Sequence, residues 1–249
     1  MSLSLHTSPW RTYRGKCRPA PGETAFQVVV EQTDLWVVAE RDLSRTVHAL
    51  VNECRGLLRA YLAWHPEFLT SLRPVEVVPE APDIVRDMAR AGQACGVGPM
   101  AAVAGAVAQW VAQRCVTQSS NLLVENGGDL FLCSTRERVI GLLVDPTQNM
   151  GLGLRLAPAD FPCSVCSSSA TIGHSLSLGR GDLVVTRSKD AALADAAATA
   201  LNNLIAGPRD LGLVLDQAGG LADKGLDGVF VQCGAEVGVW GKMELIALE

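Results

Sequence analysis

Residues 91–113, "AGQACGVGPMAAVAGAVAQWVAQ", carry no charged side chain at all. A stretch of that length belongs either in a bilayer or inside a protein. A membrane span needs about 20 strongly apolar residues. Here the apolar content is mostly alanine, broken by Gly96, Gly98, Pro99 and several glutamines. The stretch therefore reads as buried helix packed closely through small residues, and no membrane partner is expected. The rest of the chain has to wrap it.

Periodicity shows how. "AFQVVVEQTDLWVVAE" is rich in β-branched residues and has a short polar break at residues 32–34, so it predicts a hairpin. Asp42 stands where a helix cap belongs. After it Leu43, Val47, Leu50, Val51, Cys54, Leu57, Leu58, Tyr61 and Leu62 recur at helical spacing until Pro66. An extended "PVEVVPEAP" leads to a short helix over residues 83–94, and a second starts near Pro99 and runs to about residue 115. Strands follow in 121–133 and 138–145. The later sequence repeats this order: strands in "GLGLRLAP" and "GDLVVTRS", a helix over 189–206 capped by Ser188 and closed by Gly207 and Pro208, a glycine-weakened helix over 210–222, then strands around a turn at 234–236. Each half approximates two strands, two helices and two strands. The expected class is α+β, with antiparallel sheets and helices on one face. Residues 1–24 read as an N-terminal extension and 25–249 as one domain, with 25–146 and 151–249 alike in pattern but not in sequence.

At 48% hydrophobic and 19% charged, the chain has the makings of an ordinary core. A net charge of -5 gives no basic face for nucleic acid. The local basic run of Arg11, Arg14, Lys16 and Arg18 reads as a solvated extension. The eight cysteines are spread through apolar segments; Cys54, Cys95, Cys115, Cys133 and Cys233 read as small buried hydrophobes. The first residues lack the apolar stretch of a signal peptide, so a cytoplasmic location is expected.

Chemistry concentrates in three places. In "LADAAATALNNLIAG", Asp195 and Thr199 share a helix face and Asn202 comes round below them. A polar stripe among alanines means either a close packing contact, for instance between two copies of the chain as a homodimer, or a site whose oxygens face a ligand. Mg²⁺ takes such carboxylate oxygens and fills its shell with water and phosphate. In "CSSSATIGHSLSLGRGD", Ser167, Ser168, Ser169, Thr171 and His174 crowd donors into a glycine-punctuated loop, which suits either phosphate or plain solvent. Cys163 and Cys166 form a lone CxxC with no second pair for zinc; the neighbouring Pro162 and serines read as loop. "NLLVENGGDLFLC" carries Glu125, Asn126, Gly127, Gly128 and Asp129 between two apolar runs, a pattern that fits a hairpin turn and a site equally well.

Taken in order, four pieces resemble the ApbE-type flavin transferases, and more closely a smaller family related to them. They are "NGGD" at 126–129, "GLLVDP" at 141–146, "SSSATIGHS" at 167–175 and "ADAAATA" at 194–200. The resemblance implies paired T-fold-like units and a site for FAD, or a related nucleotide, with Mg²⁺. FMN would pass from FAD to a protein hydroxyl with release of AMP. It would make Asp195 and Thr199 metal ligands and place His174 near the reacting phosphate. Residues 125–129 with Ser167, Ser168, Ser169 and Thr171 would cradle the cofactor. The chain departs from the transferases in lacking a lysine in "GPMAAVAG" and in having no Asp-Pro after His174. A second expectation keeps the pocket without catalysis, with Glu125 anchoring the heterocycle of a flavin, pterin or nucleotide.

Overall fold

A computed structural model describes residue 14 and residues 19–142, 151–170 and 179–248. The first hairpin is present: β1 (Thr24–Val30) pairs antiparallel with β2 (Thr33–Ala39). Its turn is tighter than read from sequence, because Glu31, at φ 54°, and Gln32 close it alone. Helix α1 (Ser44–Trp64) buries Val47, Val51, Cys54 and Leu58, the stripe its spacing demands. Asp42 accepts the Ser44 N–H at 2.8 Å, which ties the turn just ahead of the helix; Leu43 occupies the cap position itself. A five-residue α2 (Pro66–Thr70) follows.

The uncharged stretch becomes the end of α3 (Asp83–Cys95), a 3₁₀ turn (Pro99–Ala102) and α4 (Val103–Cys115). The chain bends by 106° between them. Among the described residues no single helix is long and apolar enough to cross a membrane. α4 is instead enclosed on nearly every side, with Gly105, Ala106, Val107, Ala108, Trp110, Val111, Ala112 and Cys115 all buried.

The remaining elements are β3 (Leu122–Asn126), β4 (Asp129–Cys133), β5 (Arg138–Leu142), β6 (Gly151–Leu156), β7 (Cys163–Ser168), β8 (Leu183–Ser188), α5 (Ala191–Asn203), α6 (Leu211–Gly220), β9 (Leu226–Cys233), β10 (Glu236–Gly241) and β11 (Glu244–Leu248). Eight strands form one antiparallel sheet in the order β1-β2-β3-β4-β7-β8-β9-β10, and β11-β6-β5 form a second. Each half of the large sheet follows one pattern, two strands, helices, two strands. The halves meet where β4 pairs with β7, Leu130 opposite Val165 and Leu132 opposite Cys163. The helices cover one face: Val37, Val124 and Phe131 pack on α1, α3 and α4, and Val184, Val229 and Val231 on α5 and α6. The small sheet covers β4, β7, β8 and β9 from the other side, where Leu132, Val165, Val185 and Phe230 meet Leu154 and Leu156.

Two readings of the second half need correction. Cys163 and Cys166 do not lie in a loop but in β7, at the middle of the sheet. Strand alternation turns Cys163 toward the small sheet and Cys166 toward the helices, so the pair cannot share an ion. The strand was hidden because its helix-facing side chains are small, as packing directly under an alanine helix requires. That helix, α5, is capped by Asp190, whose carboxylate accepts the N–H groups of Ala192 and Leu193. Ser188 ends β8 instead and donates to the Gly225 carbonyl at 2.8 Å.

Candidate functional site

The stretch 121–133 is a true hairpin. Gly127 and Gly128, at φ 72° and 109°, make a two-residue turn whose left-handed conformation suits the twist of the strands it joins. Its acids are nevertheless buried, Glu125 at 4% and Asp129 at 5% exposure. Alternation sends them to opposite faces.

Asp129 faces the helices. One oxygen accepts the Ser167 N–H at 3.1 Å, and the Ser167 hydroxyl donates to the Gly128 carbonyl at 3.3 Å, so the end of β7 is stitched to the turn. The Cys166 thiol lies against Asp129 and within 3.7 Å of the Ala191 carbonyl. Burial, reinforced by the charges of Asp129 and Asp195, pushes that thiol well above its ordinary pKa. Asp195 comes from α5, which is almost wholly buried between α3 and α4 on one side and β7 and β8 on the other. Its face is therefore an interior one and not an outer contact surface. The Asp195 carboxylate accepts the Gly105 N–H at 2.8 Å and a second N–H from Ala104. Burial pushes its pKa well above the carboxylate range; the Asp129 charge adds to this and the two N–H donors only partly oppose it. Asn126 donates to the Ala104 carbonyl at 3.1 Å, closing the ring between hairpin and α4.

The fold thus brings together Asn126, Gly128, Asp129, Ser167 and Asp195. Ser168, buried at the end of β7, takes a hydrogen bond from the buried Asn202 amide at 3.3 Å, two turns along α5. Thr199, half-buried, stands one turn from Asp195, and Ser169 directly follows β7. Thr171 and His174 lie outside the described residues. Three participants were missed. Cys166 was read as part of a loop. Gly105 was passed over as one small residue among many, although an isolated glycine in a helix marks close approach: a Cβ there would sit 2.2 Å from the Ala191 carbonyl oxygen and 2.9 Å from Asp195 Cβ. Arg14 belongs to the basic run that reads as solvated, yet the fold buries it. It is 5% exposed and ion-paired to Glu125 at 2.6 Å and Asp34 at 2.7 Å on the opposite sheet face. With Arg14 on one oxygen and the Gly128 N–H on the other, the Glu125 carboxylate is already engaged.

The residues present fit a hard cation. Among the described residues no basic side chain acts on Asp195, and Asp129 brings a second carboxylate beside it. No group of three His, Cys, Asp or Glu side chains among those residues is disposed to hold a metal by itself. A cation here would complete its shell with water and phosphate oxygens, as Mg²⁺ does. A separate cleft of about 350 Å³, lined by Arg90, Gln93, Asp190, Leu193 and Lys224, shares none of these residues.

This architecture is the fold of the ApbE flavin transferases. The chain superposes on flavin transferase ApbE from Vibrio cholerae with a TM-score of 0.57 at 11% identity, covering 90% of this chain and 96% of that one. The Pseudomonas stutzeri flavinyl transferase ApbE gives 0.54 at 15% identity, covering 88% and 93%. At such identities the likeness is one of fold. The family described as AbpE bacteria matches residues 17–234, and the chain belongs to it. UPF0280 protein MJ1526 of Methanocaldococcus jannaschii is 38% identical over 223 residues, 87% of this chain and 90% of the relative. A UPF0280 protein of Methanocella arvoryzae is 38% identical over 188 residues, 75% and 77% respectively.

Proposed function

We propose that the chain binds FAD together with Mg²⁺ at the Asp195 site and transfers FMN from it, to a protein hydroxyl or to water, releasing AMP. The observation that carries this reading is Asp195, a carboxylate held deep in the protein, pushed toward protonation by burial and by Asp129, with no basic side chain among the described residues to balance it. Burial of that carboxylate beside a second one makes it a candidate ligand for a cation, which would offset the cost of its charge. The flavin transfer named for the structural neighbours makes FAD the first ligand to test.

In this reading Asp195 and Thr199 hold the metal, and the Gly127 to Gly128 turn lets backbone approach the phosphate oxygens. Ser167, Ser168 and Ser169 with Thr171 would offer donors to the nucleotide, and His174 would act on the reacting phosphate. The acceptor oxygen forms the new bond to the FMN phosphorus as the bond to the AMP oxygen breaks, and the acceptor proton leaves to a base or to solvent. When bound, Mg²⁺ would neutralise charge developing on the phosphoryl oxygens. Calorimetric titration with FAD, run with and without Mg²⁺ and followed by chromatography for AMP, tests the proposal. Mg²⁺-dependent binding with AMP release is expected. Binding without AMP under any acceptor or divalent metal would leave a flavin binder and no transferase, and no binding of FAD at all would overturn the reading.

A further inference from the structure

Arg14 makes three directed bonds to described residues on the sheet face opposite the helices. Its Nε donates to Glu125 Oε2 at 2.6 Å, one terminal nitrogen to Asp34 Oδ1 at 2.7 Å and the other to the Asp34 carbonyl at 2.9 Å. The second Glu125 oxygen accepts the Gly128 N–H at 2.8 Å. A guanidinium is planar and its donors lie in a fixed fork, so it sets the rotation of a carboxylate as well as its position. The orientation of Glu125 in turn aims an acceptor at the peptide between Gly127 and Gly128. That peptide needs such a guide, because two successive glycines have no side chains to restrict it. The next residue is Asp129, which holds Ser167 and faces Asp195. The hydrogen bonds thus run from the N-terminal segment, through the sheet, to the carboxylate cluster on its other face.

We propose that Arg14 is a positioning residue for the Gly127 to Gly128 turn, fixing through Glu125 the peptide from which Asp129 enters the site. The consequence for ligand binding rests on the FAD and Mg²⁺ reading above; the structural coupling does not. A purely structural Arg14 would pin the N-terminal segment to β2 and β3, and its loss would lower overall stability without singling out the turn.

Amide exchange of the ¹⁵N-labelled full chain separates the two, because β8 amides at the sheet centre report global opening while the Gly128 amide reports the turn. In Arg14→Ala the Gly128 amide is expected to exchange about tenfold faster, beyond any acceleration of the β8 amides, with Arg14→Lys intermediate because an ammonium keeps the charge without the fork. FAD affinity with Mg²⁺ present should fall by about tenfold in the alanine variant, the effect of losing a charged hydrogen-bond relay. A folded Arg14→Ala protein whose Gly128 amide accelerates no more than those of β8 overturns the proposal. Should the alanine variant not fold, Arg14→Lys decides by the same comparison, Gly128 outpacing β8 or not. If the wild type binds no FAD, the ligand reading fails while the exchange data still settle the role of Arg14.

Discussion

Each face of the β3–β4 hairpin presents one buried acid that meets a second from a neighbouring element, Glu125 with Asp34 of β2 and Asp129 with Asp195 of α5, and the pairs are treated differently. On the open face Glu125 and Asp34 are bridged by Arg14, charge against charge, with all three side chains largely covered. On the helix face Asp195 lies beside Asp129, and among the described residues what reaches it is burial, the repulsion of that neighbour and two backbone N–H groups. The first arrangement is complete as built. The second raises the pKa of Asp195 instead of neutralising it, and the proposed reading takes that contrast as the mark of acids kept for a ligand.

The sharpest way to break the comparison is at Asp195. Asp195→Ala is expected to reduce Mg²⁺-dependent FAD binding by about a hundredfold or more, since a hard cation loses its charged ligand. Calorimetry reads this directly. Asp195→Asn should lose the same binding yet raise the melting temperature of the metal-free protein, because a neutral amide removes the buried repulsion while still accepting an N–H. An unchanged or lower melting temperature there would mean that the carboxylate is structural. On the opposite face the sign reverses: Glu125→Ala leaves Arg14 to Asp34 alone and the Gly128 N–H without its acceptor, and should cost roughly 2 kcal/mol in urea unfolding. Gly105→Val tests the approach that carries the Gly105 N–H to Asp195. Its Cβ would overlap the Ala191 carbonyl, and a loss of about 2 kcal/mol with weaker FAD binding is expected.

Two smaller effects lie away from the site and serve as controls. Asp190→Ala removes the cap of α5 and should cost about 1 kcal/mol, lowering the melting temperature by about 3 °C without altering FAD affinity. Glu23 is raised by burial, but its hydrogen bond and charge contact with Arg138, helped by Arg136, outweigh that and hold its pKa below the ordinary 4.5. Its contribution is therefore present above pH 4.5 and lost as the pH falls through the lower folded value. Melting curves of wild type and Glu23→Gln should differ at neutral pH and converge in acid.

Much of the scaffold could be read along the chain because it depends on local rules. The α1 stripe, the break at Gly96 and Gly98, and the glycine turns at 127–128 and 234–235 all follow from side-chain period and backbone freedom, which neighbours in sequence decide. Strand β7 could not be read that way. "CSVCSS" has a single β-branched residue, Val165, because α5 presses onto its other face and leaves room there only for small side chains.

Asp195, Thr199, Gly127, Gly128 and Asp129 were identifiable as candidates from residue type and spacing, and so was the likeness to flavin transferases. Sequence determined which acids were worth watching. Tertiary structure alone decided which of them meet, since strand alternation sends Glu125 and Asp129 to opposite faces while pairing of β4 with β7 and the close approach of α4 to α5 bring Asp129 and Asp195 together. The same holds for Arg14, whose charge looked solvated in a basic run and proved buried. Burial and counter-charge are properties of what comes close in space, and residues 14, 34 and 125 are near neighbours only after folding.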